Sequence, residues 1–213
     1  MIKAIIFDFG GVFTAEGSLR KFAKAYAKKA GCNPEKFKEL VLDNWFKARV
    51  NKISSESFWK NLSVFLKTDA KNVRSDFIKF FGFRQDVLQF AIKLKKNYKL
   101  GLLSNHIEDW LEEIIKKRKM RKVFDVILTS YESRLAKPDI AIFKEIVKKL
   151  KISPNDCVYI DDMEKNILPA KMLGMNPILF KNLNQLKKEL VSAGIRISDF
   201  EKTNKARLSK AKK

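Results

Sequence analysis

Four short groups of residues have the types and the company that chemistry requires: Asp8 with Gly10-Gly11, Ser104-Asn105, Lys137, and Asp161-Asp162. A carboxylate in such a place can act as a nucleophile or a metal ligand, and paired acids hold a hard cation such as Mg²⁺. Lysine, serine and backbone N–H groups together neutralise a tetrahedral oxyanion, and glycines at 10 and 11 let the backbone approach it closely. Singly, each has an ordinary explanation. Aspartates close turns and cap helices, and Lys137 is one of 45 basic residues. Their common placement in the chain is what sets them apart.

The elements that must carry these groups are short apolar strands. Residues 3–8 form an apolar run that ends in Asp8 and the Gly10-Gly11 turn, the pattern of a buried strand. After Asp86, further strands are predicted at Lys99–Leu103, Phe124–Thr129, Cys157–Ile160 and Pro177–Phe180, separated by amphipathic segments such as Ile140–Leu150. This rhythm predicts an α/β fold, a doubly wound parallel-sheet (Rossmann-like) core. Asp8, Ser104-Asn105 and Asp161-Asp162 then stand where strands end, and Lys137 precedes a helix after the third. Ligands of such sheets bind beyond the carboxyl ends of the strands.

Between the first strand and the rest lies a block with helical spacing. Ser18 is expected to cap a helix with Leu19, Phe22, Ala23, Tyr26 and Ala30 before Gly31; Asn33-Pro34 starts another, and Ser54 a third. The expected organisation is a core of residues 1–14 and 86–201, a helical cap at 15–85, and a basic, disordered tail at 202–213. Gly17 and Gly82, at the two crossings between core and cap, are hinge candidates.

Set in this frame, the four groups resemble, in order, the four motifs of the haloacid dehalogenase superfamily: Phe7-Asp8-Phe9-Gly10-Gly11-Val12, Leu103-Ser104-Asn105, Lys137-Pro138, and Tyr159-Ile160-Asp161-Asp162 followed by Asn166 and Gly174. The subgroup it is most similar to is the small helical-capped phosphatases, including sugar 1-phosphate phosphatases. The resemblance implies that Asp8 attacks phosphorus to give an aspartyl-phosphate, with Ser104 and Lys137 as the other catalytic residues. It implies a phosphate site of Gly10, Gly11, Ser104, Asn105 and Lys137. It also implies Mg²⁺ held by Asp8, Asp161, Asp162 and the carbonyl of Gly10. The implied substrate is a small phosphorylated metabolite such as a sugar phosphate.

One position departs from the pattern. Most phosphatases of this family have a second aspartate two residues after the nucleophile, as general acid and base; here it is Gly10. His106, the single histidine, is the nearest candidate to replace it. Two alternatives to hydrolysis follow: a slow phosphotransferase, or a non-catalytic, nucleic-acid-binding protein of the same fold. Dehalogenation of 2-haloacids is disfavoured, because those enzymes need no metal and lack the paired acids.

Composition limits the remaining choices. No apolar stretch approaches the roughly 20 residues of a membrane helix, and residues 1–13 lack the layout of a signal peptide, so a cytoplasmic protein with no membrane partner is expected. Cys32 and Cys157, far apart and without CxxC or histidine neighbours, are expected to be buried fillers rather than a zinc site or disulfide. The net charge of +21, with 16 Lys and Arg against 7 Asp and Glu in residues 15–85, permits contact with polyanions. The cap aromatics Phe22, Tyr26, Trp45, Phe58 and Trp59 recur at helical spacing and are read as core first.

Overall fold

A computed structural model describes residues 1–197 of the chain. The expected tail at 202–213 lies outside the described residues. Five parallel strands form one sheet in the order β3-β2-β1-β4-β5: β1 (Ala4–Phe7), β2 (Lys99–Ser104), β3 (Val126–Thr129), β4 (Cys157–Asp161) and β5 (Asn176–Leu179). The fold is α/β and Rossmann-like. β1 sits in the centre, and the chain order turns outward on either side of it, so β1 and its neighbour β4 flank a switch point where a crevice opens.

Alternate residues of β1 explain how the sheet is covered on both faces. Ile5 and Phe7 join one apolar cluster, with Leu100, Leu102, Val158 and Ile160, while Ala4 and Ile6 join a second, with Leu103, Leu128 and Tyr159. Successive strand residues point to opposite faces, so a strand buried on both sides reads as a continuous apolar run.

Four helices lie between β1 and β2: α1 (Leu19–Ala30), α2 (Pro34–Ala48), α3 (Ser55–Leu66) and α4 (Ala70–Phe81). α5 (Gln85–Leu94) then leads into β2. Ser18, Asn33 and Ser54 cap the first three, each side chain accepting a backbone N–H three residues on, and Gly31 ends α1 at φ 65°. α4 was not legible as a helix in the sequence; Asp69 caps it, accepting from Lys71 N at 2.6 Å. The aromatics behave as core: Phe22, Phe37, Phe58 and Phe77 have no exposed surface. Phe77 touches Trp45, Trp59 and Trp110 at centroid separations of 6.0, 5.1 and 5.1 Å, so the helical block and one face of the sheet share a single apolar cluster.

The two crossings between block and sheet pair with each other. Ala15 N donates to the Phe81 carbonyl at 2.8 Å and Arg84 N to that of Phe13 at 2.7 Å. A polar latch adds to this: Asp109, on α6 (Glu108–Lys117), accepts from Trp59 Nε1 of α3 at 2.9 Å and from Arg74 Nε of α4 at 2.8 Å.

The remaining helices are α7 (Ser130–Ser133), α8 (Ile140–Leu150), α9 (Glu164–Met172) and α10 (Leu183–Ser192). β3 and β5 each differ slightly from expectation, β3 starting two residues later because Phe124 is buried in the preceding turn. Cys157 is buried but Cys32, just past the end of α1, is half-exposed, which corrects its reading as a buried filler; both are free thiols. Among the described residues no helix is long and apolar enough to cross a membrane.

Candidate active site

Asp8 directly follows β1, Ser104 ends β2, and Asp161 ends β4, so three neighbouring parallel strands deliver their polar residues to one edge. Lys137 arrives from the segment between α7 and α8, held by Asn105: Lys137 N donates to Asn105 Oδ1 at 2.9 Å, and Asn105 Nδ2 donates to the Lys137 carbonyl at 2.8 Å. The Lys137 ammonium, 1% exposed, lies 2.7 Å from Asp8 Oδ1 and 2.8 Å from Asp161 Oδ2. Burial opposes its charge, but Asp161 and Asp8 hold it above the usual lysine range, so it stays an ammonium.

Asp161 is the most constrained of the acids. It accepts from Met163 N at 2.9 Å, from Asn166 Nδ2 at 3.0 Å on each oxygen, and from the Tyr159 hydroxyl. Burial pushes against ionisation, yet Lys137 and these hydrogen bonds hold Asp161 below the usual carboxylate range. Tyr159, raised far above the ordinary phenol value by burial and by Asp161, remains a donor. Nothing in the sequence beyond its place in the motif marks Tyr159 for this position.

Asp8 and Asp162 are shifted the other way. Burial, then the charge of Asp161, raises Asp8 well above the usual range, and the same two causes push Asp162 up to about 6. Oxygens of Asp8, Asp161 and Asp162 all lie within 4.8 Å of one another. Three carboxylates ionised together would exceed the one ammonium by about two negative charges, and burial and this repulsion raise Asp8 and Asp162. A divalent cation removes that excess, and an all-oxygen donor set suits a hard one such as Mg²⁺. The residues present therefore fit the metal.

Other expected residues fall in or beside the same place. The Ser104 hydroxyl is fully buried and has no hydrogen-bond partner among the described residues. Gly10 lines the cavity, and a Cβ added there would touch nothing within 4 Å. Gly11 differs from expectation: its N–H donates to Thr14 Oγ1 at 2.8 Å and so is not directed to a ligand. Its need for glycine is steric, since at φ +69° an added Cβ would collide with Asp162 Oδ2. Asn105 lines the cavity, but both ends of its amide engage Lys137.

His106 is 4% exposed and packed against Trp110, Trp45 and Phe9 at centroid separations of 4.4, 5.1 and 5.4 Å. Its Nδ1 lies 3.0 Å from the Ile107 carbonyl, an arrangement that places the proton on Nδ1. Burial lowers its pKa to about 4, so near neutrality it has no proton to give from Nε2. It is a poor replacement for a general acid.

Above these groups the helical block closes a cavity of about 700 Å³, with Leu42, Trp45, Phe46 and Arg49 of α2 and its C-terminal end as one wall. Arg49 and Phe46 were not singled out in the sequence, where one arginine or phenylalanine of a basic amphipathic helix looks like any other.

Known proteins are similar to this chain in sequence and fold. The model of the haloacid dehalogenase-like hydrolase family matches residues 5–180. The chain is 27% identical over 89% of its length to bifunctional epoxide hydrolase 2 of Sus scrofa, of which it spans 38%, about two fifths. It is 25% identical, over 89% of its length and 97% of the relative's, to D-ribitol-5-phosphate phosphatase of Bacteroides thetaiotaomicron. The crystal structure of a haloacid dehalogenase family enzyme from Bacteroides thetaiotaomicron, a mutant in complex with magnesium and inorganic phosphate, superposes with a TM-score of 0.73 at 23% identity, over 87% of this chain and 99% of that one. A family match across most of the chain, on a sheet whose strand ends gather the four motifs, shows that this protein belongs to the haloacid dehalogenase-like hydrolases.

Proposed function

We propose that the protein is a Mg²⁺-dependent phosphatase that hydrolyses a small phosphomonoester through an aspartyl-phosphate on Asp8. The observation that carries this reading is the cluster of Asp8, Asp161 and the half-buried Asp162, with Lys137 bridging Asp8 and Asp161 and the Ser104 hydroxyl unpaired among the described residues on the neighbouring strand. The similarity to D-ribitol-5-phosphate phosphatase along nearly that protein's whole length supports it. In this reading residues 15–85 act as a cap over a core of residues 1–14 and 86–201.

The chain's own residues suggest the division of labour. Phe9 N and Lys137 Nζ bind Asp8 Oδ1 at 2.6 and 2.7 Å, which fixes the carboxylate and leaves Oδ2 without a protein donor among the described residues. Oδ2 attacks phosphorus; an O–P bond forms to Asp8 while the ester P–O bond breaks and its electron pair leaves with the alcohol oxygen. Lys137 and Ser104 Oγ donate to the phosphoryl oxygens. Water then attacks the same phosphorus, the Asp8–phosphorus bond breaks, and orthophosphate leaves. When bound by Asp8, Asp161, Asp162 and the Gly10 carbonyl, Mg²⁺ supplies charge neutralisation for two anions brought together. No acid at position 10 protonates the leaving oxygen, so the reading favours substrates whose leaving group is stable as an anion.

The test is release of nitrophenol from p-nitrophenyl phosphate by the purified protein with Mg²⁺, with a chelator, and with Asp8→Asn. Turnover that needs both the metal and Asp8 is expected. Metal-independent turnover, or turnover unchanged in Asp8→Asn, would refute the mechanism.

A further inference from the structure

Arg49 closes the end of α2 and lines the cavity that also contains Asp8 and Lys137. Its guanidinium carbon stands 4.6 Å from the centroid of the Phe46 ring, and its Nε is buried with no hydrogen-bond partner among the described residues. Burial draws its pKa down, with no acid to offset the effect. Arg74 and Arg121, by contrast, are matched by acids: Arg74 binds Asp109 and Glu113, and Arg121 binds Glu112. A cation at a helix C-terminus is favoured by the helix dipole, but Lys47 already provides one in the last turn of α2, solvated and paired with Asp43. The dipole does not explain why the Nε of a half-buried guanidinium is enclosed without an acceptor among the described residues, where an unmatched charged donor is costly.

The surroundings indicate what would match it. Leu42, Trp45, Phe46 and Trp110 line the same cavity with apolar and aromatic surface, in which a charge-assisted hydrogen bond is strengthened. At about 700 Å³ the cavity holds far more than a phosphoryl group, and falls within the ~300–1,000 Å³ typical of sites for whole small molecules. The phosphoryl position already has Lys137 and Ser104, which come from the sheet side, whereas Arg49 comes from the helical block. A planar guanidinium binds carboxylates and phosphates through two parallel hydrogen bonds. We propose that Arg49 is a specificity-determining residue that binds a second oxyanion, carboxylate or phosphate, on the body of the phosphomonoester substrate. The assignment of the first anion rests on the phosphatase reading; the assignment of the second rests on Arg49.

Calorimetric titration with Mg²⁺ present separates the two. Phenylphosphonate, 4-carboxyphenylphosphonate and 1,4-phenylenediphosphonate share a ring and a first anion, and differ in whether the second group is absent, a carboxylate or a phosphonate. One of the two probes with a second anionic group is expected to bind about tenfold or more tighter than phenylphosphonate, the usual contribution of a hydrogen-bonded charge. That gain is expected to disappear in Arg49→Gln and to be reduced in Arg49→Lys, which keeps the charge without the fork. Equal binding of all three probes, a gain that survives in Arg49→Gln, or binding of none would overturn the proposal. If Arg49→Gln does not fold, an undiminished gain in Arg49→Lys overturns it as well. Absence of p-nitrophenyl phosphate turnover alongside an Arg49-dependent gain would support the second-anion site and remove only the phosphatase reading.

Discussion

Asn105 grips the main chain of Lys137 from both sides, its Oδ1 accepting the N–H at 2.9 Å and its Nδ2 donating to the carbonyl at 2.8 Å. The residue at the end of β2 thereby sets where the lysine from a different crossover stands, and that lysine spans Asp8 and Asp161. Asn105→Ala leaves both main-chain groups unmatched. We expect kcat toward p-nitrophenyl phosphate to fall about 10- to 100-fold, the range for a misplaced reacting group, with a stability loss of about 1–3 kcal/mol. Unchanged kcat in a folded variant would show that packing alone places Lys137.

Position 10 offers a gain of function. An added Cβ there meets nothing within 4 Å and Gly10 is not among the residues with positive φ, so the first atom of the Asp side chain in Gly10→Asp is accommodated. General acid–base catalysis contributes about 10²–10⁴-fold where the leaving group needs a proton. Hydrolysis of an alkyl phosphate is expected to rise at least about tenfold relative to p-nitrophenyl phosphate, whose leaving group needs little protonation. The ratio of the two rates in natural and variant protein checks this. An unchanged ratio would mean that another group already performs the proton transfer.

Gly17 is glycine because of what lies against it. A Cβ there would stand 2.6 Å from Asp162 Oδ2 and 3.0 Å from Gly11 Cα, so the loop after β1 folds back over the carboxylate. Gly17→Ala must displace Asp162 or the backbone of Gly11, an overpacking that costs about 1–3 kcal/mol. The half-saturating Mg²⁺ concentration is expected to rise about tenfold or more, a shift of ~1.4 kcal/mol. Titration of metal-dependent turnover reads this directly. An unchanged metal requirement would show that Asp162 moves aside without consequence and would assign Gly17 to the turn alone.

Much of this site was legible because a parallel sheet with helical crossovers puts every strand's carboxyl end on one edge. Asp8, Ser104 and Asp161 each follow or end an apolar run short enough to be a buried strand, and that order alone places them together. Residues that depend on packing across the chain were not legible. Gly17 reads as a turn or a hinge until the loop is seen against Asp162, and Arg49 is one of 16 basic residues in positions 15–85 until its side chain is found in the cavity. α4 is hard to read in the sequence because its apolar residues Val73, Phe77, Phe80 and Phe81 serve the same cluster as three other helices, and no glycine or proline marks its start. His106 reads as a candidate acid and base from its place after Ser104-Asn105, and is buried because Trp45 from α2 and Trp110 from α6 meet over it.

That burial gives His106 a measurable role in stability. The imidazole has an ordinary pKa of 6.5 and one of about 4 in the fold, where burial disfavours the cation more than the Ile107 carbonyl and Asp109 favour it. Between these values the unfolded chain binds a proton that the folded chain does not, so stability falls as pH drops from about 6.5 to about 4 and is fully retained above that window. A shift of this size corresponds to about 3 kcal/mol at its full extent. His106→Phe keeps an aromatic ring in contact with Trp45, Trp110 and Phe9 and removes the titration. It also leaves the Ile107 carbonyl without its Nδ1–H donor, so it is expected to be less stable than the natural protein near pH 7 and to lose part of that deficit as the pH is lowered. Urea unfolding of both proteins at pH 7, 5 and 4 gives the difference directly. A difference that does not change with pH would show that His106 titrates alike in the folded and unfolded chains, and the packing of Trp45 and Trp110 over it would then not exclude water.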